Sequence, residues 1–182
     1  DHPIRRIVRD RGGELWFLSK ETNPTGGYTI YRSSLSTSYE LVPVRVGHGP
    51  VNDLARTQDE VLWLATDDGL LEGTLEGESF HLEKRYTDRD GLLSIQVWAV
   101  TEGPDGTIWV CYPSSGAGVT RFKGGEARSY EESDGLASPE VWSITLAGQS
   151  LWFGTGRGLS RFDGECWYSY PVASLDVRSI RV

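Results

Sequence analysis

Residues 151–164 read Leu-Trp-Phe-Gly-Thr-Gly-Arg-Gly-Leu-Ser-Arg-Phe-Asp-Gly, two short runs joined through glycine. The first run is apolar at consecutive positions, the pattern of a strand covered on both faces. Its tryptophan recurs. Leu15-Trp16-Phe17, Leu62-Trp63-Leu64 and Ile108-Trp109-Val110 repeat the triplet, and successive Trp residues stand 47, 46 and 43 positions apart. A further apolar stretch precedes each triplet, at residues 4–7, 51–54, 97–100 and 141–144. Aromatic-containing stretches close the later units, at residues 80–86, 128–130 and 166–170.

Each unit therefore predicts a four-stranded antiparallel meander. Arg11-Gly12-Gly13, Gln58-Asp59-Glu60, Asp105-Gly106 and Gly148-Gln149 separate the first two strands, and Asp163-Gly164 separates the last two of the final unit. Asp-Gly predicts a type I′ turn, with φ > 0 at both central residues. Sheets buried on both faces need similar sheets beside them, and four-stranded repeats of about 40–45 residues build a β-propeller. The expected fold is all-β, one propeller region over residues 1–182 with about four blades of four strands. The repeats run approximately over 1–48, 49–92, 93–136 and 137–176. In the first, residues 20–38 are polar, and the third strand is expected at 28–32. Val177-Arg178-Ser179-Ile180 matches Val141-Trp142-Ser143-Ile144, so residues 177–182 read as the start of a fifth repeat. Either the ring closes at four blades with that strand as a latch, or the chain is a portion of a seven- or eight-bladed propeller. In the open case the outer faces of the first and last blades are apolar, and self-association is expected.

The 182 residues carry 18 Lys and Arg against 26 Asp and Glu, a formal net charge of −8. That balance argues against nucleic acid and anionic membranes, which call for clustered basic residues. No apolar run approaches the roughly 20 residues that span a bilayer. Twenty-two Gly, 7 Trp and 8 Tyr suit short aromatic strands joined by tight turns. There is no Met, which reads as a processed or excised chain, from which any targeting segment could have been removed.

The fourth repeat resembles the two-component regulator propeller repeat almost throughout. The matching residues are Gly135-Leu136, Val141-Trp142-Ser143-Ile144, Leu151-Trp152-Phe153-Gly154-Thr155 and Gly158-Leu159-Ser160-Arg161-Phe162-Asp163-Gly164. The third repeat has Cys111-Tyr112 in place of Gly-Thr. The second keeps Leu62-Trp63-Leu64-Ala65-Thr66 and Gly69-Leu70 but lacks the Arg-Phe pair. The resemblance covers about residues 49–182. It implies a seven-bladed propeller, the extracytoplasmic sensor part of a histidine kinase, and a ligand-binding module that performs no chemistry.

The four repeat Trp residues, 16, 63, 109 and 152, read as packing between blades, where aromatics bury the most area. The second position of the innermost strand is different: it holds Arg5, Asn52, Trp98, Trp142 and Arg178. Uniform packing does not produce such unlike side chains. Aromatic residues and Arg at a concave opening suit a small molecule, glycan or peptide bound at the channel rim. The competing reading packs both Trp between blades and sends the Arg side chains to solvent.

No cofactor or metal is expected. Gly154-Thr155-Gly156-Arg157-Gly158 precedes a strand rather than a helix, so it reads as a hairpin and not a phosphate loop. Asp67-Asp68 and Asp88-Arg89-Asp90-Gly91 read as solvated turns, the second lacking the later ligands of a calcium loop. His2, His48 and His81 stand without metal-ligand spacing, and no nucleophile elbow occurs. No catalytic residues are assigned. Cys111 and Cys166, in the second strand of one blade and the fourth of another, read as free, partly buried thiols. One rival is enzymatic: residues 102–109 resemble the repeat of the streptogramin lyases, which open a lactone by elimination with magnesium and a His base. His48 is then the candidate base. A protein-interaction scaffold is the second rival.

Overall fold

A computed structural model describes residues 4–10, 12–22, 28–33, 41–46, 49–112, 117–172 and 177–180. Within them helix is confined to two three-residue 3-10 turns, Asp88–Asp90 and Glu132–Asp134. The rest is strand and turn, as the repeats predict. Blade 1 comprises β1 (Ile4–Arg9), β2 (Leu15–Thr22), β3 (Tyr28–Ser33) and β4 (Leu41–Val46). Blade 2 comprises β5 (Val51–Arg56), β6 (Leu62–Thr66), β7 (Gly69–Glu76) and β8 (Ser79–Tyr86). Blade 3 comprises β9 (Ala99–Glu102), β10 (Ile108–Cys111), β11 (Val119–Lys123) and β12 (Glu126–Tyr130). Blade 4 comprises β13 (Val141–Ala147), β14 (Ser150–Thr155), β15 (Gly158–Phe162) and β16 (Trp167–Pro171).

In every blade each strand pairs antiparallel with the next in sequence. The outer edges of blades 1 and 2 also touch, through a parallel bridge of Arg45 with Ser79. The result is a β-propeller arrangement of four-stranded blades.

The hydrophobic cores lie between blades. Trp16, Leu18 and Ile30 of blade 1 share a core with Leu54, Leu62 and Leu64 of blade 2. Trp63, Leu70 and Tyr86 of blade 2 share one with Val100, Ile108 and Val110 of blade 3. Trp109, Val119 and Tyr130 of blade 3 share one with Ile144, Leu151 and Phe153 of blade 4. This is why β6 and β10 are buried along their whole length. Trp152 departs from the expectation. It is half-buried, on the face of blade 4 turned away from blade 3, and stacks on Tyr170 of its own blade at 5.8 Å. No described sheet lies against that face to cover it.

The Asp105-Gly106 hairpin differs from the expected type I′ turn, and the first hairpins of blades 1 and 2 share its form. Gly13 donates to the Asp10 carbonyl, Glu60 to Thr57 and Gly106 to Gly103. Among the described residues one per loop has positive φ: Gly13 at 87°, Glu60 at 64° and Gly106 at 74°. That is a three-residue loop, a turn followed by one left-handed residue, which adds one residue to the two-residue hairpin. After each of blades 2 and 3 the chain makes its 3-10 turn and enters the next blade through Gly91 or Gly135. A Cβ on Gly91 would lie 2.5 Å from Ala127 Cβ of the next blade, and φ there is 95°. The linker therefore presses backbone directly onto a neighbouring outer strand, and Leu92 and Leu136 follow into the cores.

Candidate functional site

The varied second position of the inner strand is a β-bulge. Pairing shifts by one residue between Ile4 and Arg6, between Val51 and Asp53, and between Val141 and Ser143, leaving Arg5, Asn52 and Trp142 as the extra residues. In blade 3 Trp98 donates its N–H to the Cys111 carbonyl while Ala99 is the paired residue opposite Cys111. An extra residue on one strand re-aims its side chain away from the regular alternation. This takes the position out of the regular alternation of the strand and accounts for its variety.

Four of the five candidates come together across consecutive blades. Asn52 is buried; its Nδ2 donates to Asp67 Oδ1 at 2.7 Å in its own blade and to the Val97 carbonyl at 3.0 Å in the next. Trp98, beside Val97, meets Trp142 edge-to-face, with ring centroids 6.4 Å apart and planes at 89°. The Arg178 guanidinium lies 4.9 Å above the Trp142 ring. Both indoles are half-buried, and Trp98 also packs against the core between blades 3 and 4. Arg5 occupies the same bulge in blade 1, but its side chain lies outside the described residues. Val177 N–H donates to Thr155 O at 3.0 Å, as Val97 N–H donates to Thr66 O at 2.9 Å, so residues 177–180 start where a next inner strand would start.

Beside this cluster the inner strands of all four blades line a cavity of about 350 Å³. Sequence reading missed its central group, Asp53. The carboxylate is 3.2 Å from Arg6 Nη2 of blade 1 and accepts the Val100 N–H of blade 3 at 3.1 Å, so one side chain links three blades. Burial pushes the Asp53 carboxyl up to about 6, against the pull of the Arg6 charge and of the Val100 and Leu54 N–H groups. Burial and the Asp53 charge both raise the neighbouring Cys111 thiol, which stays neutral. The available signal was a carboxylate at the third position of an inner strand, where the other three blades have Arg6, Ala99 and Ser143. Farther along, Arg56 bridges to Asp10 at 3.5 Å and to Glu14 at 2.9 Å, and Trp16 Nε1 donates to Asp10 at 3.0 Å.

The remaining motifs resolve locally. Asp67 accepts from Asn52, and Asp68 pairs with Arg85. Asp90 accepts the Thr87 N–H at 2.9 Å as half of a capping box. Residues 154–158 form the β14–β15 hairpin. Both cysteines are free, but only Cys111 is buried; Cys166 is exposed and precedes β16, because the β15–β16 turn holds it at the blade's rim. His2 and His48 lie outside the described residues, and His81 is exposed on β8.

No protein-family model matches the chain, and no curated protein matches it in sequence. Solved structures do. The extracellular domain assigned to a one component system of B. thetaiotaomicron aligns with a TM-score of 0.72 at 16% identity, over 94% of this chain and 24% of that one. A second, assigned to a hybrid two component system of the same organism, aligns at 0.66 and 16%, over 93% and 23%. Virginiamycin B lyase from Staphylococcus aureus aligns at 0.63 and 18%, over 92% and 55%.

The fold is that of a β-propeller.

The chain spans about a quarter of the two extracellular domains and about half of the lyase. At these identities the propeller is what is shared, and it is shared with a lyase as well as with the two extracellular domains. Among the described residues no helix is long and apolar enough to cross a membrane.

Proposed function

We propose that this chain is a sensory, ligand-binding β-propeller module of the two-component regulator type, without catalysis and outside the cytoplasm. Its ligand, a small molecule, glycan or peptide, seats at the rim of the channel on Trp98, Trp142 and Arg178, with Asn52 fixing the neighbouring backbone. The observation that carries the proposal is the continuous run of two half-buried indoles and a guanidinium over three successive blade positions. Flat aromatic faces beside a cation at a concave opening supply both contact area and orientation. Support also comes from the motif match of residues 135–164 and from the likeness to two extracellular domains assigned to signalling systems.

A thermal-shift screen with saccharides, peptides and Mg²⁺, each followed by product analysis, tests this reading. Stabilisation by a ligand recovered unchanged is expected. Turnover of a lactone substrate in the presence of Mg²⁺ would replace the proposal with the lyase reading, whose candidate base is His48.

A further inference from the structure

Trp98 sits in a short segment of blade 3 that blade 2 holds at three points. The Val97 N–H donates to the Thr66 carbonyl at 2.9 Å, and the Val97 carbonyl accepts from Asn52 Nδ2 at 3.0 Å. The Val100 N–H donates to Asp53 Oδ2 at 3.1 Å. The adjacent side chains of Asn52 and Asp53 therefore hold the segment on either side of Trp98. Of these three contacts, only the one to Asp53 involves a group that can change its charge. One blade further on, the position equivalent to Asp53 is Ala99, so Trp142 has no such holder behind it.

We propose that Asp53 is a positioning residue of the Trp98–Trp142 site: its ionised carboxylate seats Trp98, and its protonation loosens that seat. The proposal rests on the reading of the indole pair as the binding site. An ionised acceptor makes a hydrogen bond roughly twice as strong as a neutral one, so the carboxylate holds the Val100 N–H most firmly. Arg6 Nη2, at 3.2 Å, forms an ion pair with Asp53 only in that state. The burial that strengthens both contacts also favours the proton, and places the change near pH 6. Once protonated, the group loses its pair with Arg6, and Asn52 and Thr66 are left to hold the segment. Among the described residues, Arg6 faces Asp53 from β1 and the Cys111 thiol from β10. Arg9, Asp10, Arg56 and Glu102 line the same cavity. A molecule stacked on Trp98 therefore binds more tightly above pH 6 than below it.

The indole N–H resonances of the full chain, isotope-labelled at its tryptophans and recorded without ligand, test the positioning. Trp98→Phe identifies the Trp98 peak among the 7 indoles. Between about pH 5 and about pH 7.5 that peak should move with a midpoint near 6, and it should stay still in Asp53→Asn. Arg6→Gln, which removes the opposing charge, should raise the midpoint. A Trp98 peak that does not move in wild type overturns the proposal, as does a midpoint unchanged by Arg6→Gln. So does a movement that persists in Asp53→Asn, because histidines titrate in the same range. The saccharide or peptide that stabilises the chain most should bind wild type at least about 5-fold more tightly at the higher pH, and Asp53→Asn equally at both. Equal affinity of wild type at the two pH values would also overturn the proposal. A Trp98 peak that titrates as expected, beside unaltered binding by Trp142→Ala, would remove the binding site and leave the positioning by Asp53 intact.

Discussion

Trp109 stacks on Tyr130 at 5.4 Å and meets Phe162, Phe153 and Trp167 of the following blade at 5.2, 5.7 and 6.1 Å. Its Nε1 donates to Thr107 Oγ1 at 2.9 Å, so even the polar edge of the ring is satisfied. Trp109→Ala should cost about 3–5 kcal/mol in urea unfolding, as for a buried large aromatic; a loss below about 1 kcal/mol would remove it from the core. Asp53 makes a different kind of claim. Its carboxyl rises from 3.8 to about 6 on folding, chiefly by burial. Such a group stabilises fully below pH 3.8 and loses that contribution as pH rises through about 6. The difference corresponds to about 3 kcal/mol. The stability of wild type relative to Asp53→Asn should therefore fall between about pH 4 and pH 8, and parallel profiles would show that Asp53 is not desolvated. The tryptophan was legible because its repetition is written in one dimension. Asp53 was not, because Arg6 and Val100, which hold it, come from two other blades.

Strand identity was legible from the runs around each Trp, and even the weak third strand of the first unit falls at β3 (Tyr28–Ser33). The loops were legible only in part. Glycine signalled a left-handed residue correctly, but the length of the loop, and so the turn type, depends on which carbonyl closes it. Glu60 exposes the cost. It holds the left-handed position that Gly13 and Gly106 fill elsewhere, and pairs with Arg56 from there. Left-handed backbone costs a residue with a Cβ about 1–2 kcal/mol, more than an exposed ion pair returns. Glu60→Gly should raise stability by about 0.5–1 kcal/mol. A lower denaturation midpoint would show that the Arg56 pair outweighs the strain. The bulges were equally hidden: the sequence displays Arg5, Asn52, Trp98 and Trp142 as an irregular column, and only the register explains why irregularity is tolerated there.

Across the whole molecule, cores run between blades rather than within them, so each blade is stable only against a neighbour. The faces of blades 1 and 4 follow from the same rule, which is why Trp152 looked buried by analogy with Trp16, Trp63 and Trp109 and is not. The proposed site also belongs to this scale: Asn52 bonds the Val97 carbonyl beside Trp98, Trp98 meets Trp142, and Trp142 meets Arg178, contacts between different repeats that only successive blades bring together. The most direct test of that site is calorimetric titration of wild type and Trp142→Ala with the saccharide or peptide that stabilises the chain most. Trp142 should behave as an anchor, with affinity falling at least about 30-fold, or about 2 kcal/mol, while the fold is retained. Equal affinity in the two proteins, both folded, would contradict the assignment of the channel mouth as the binding site.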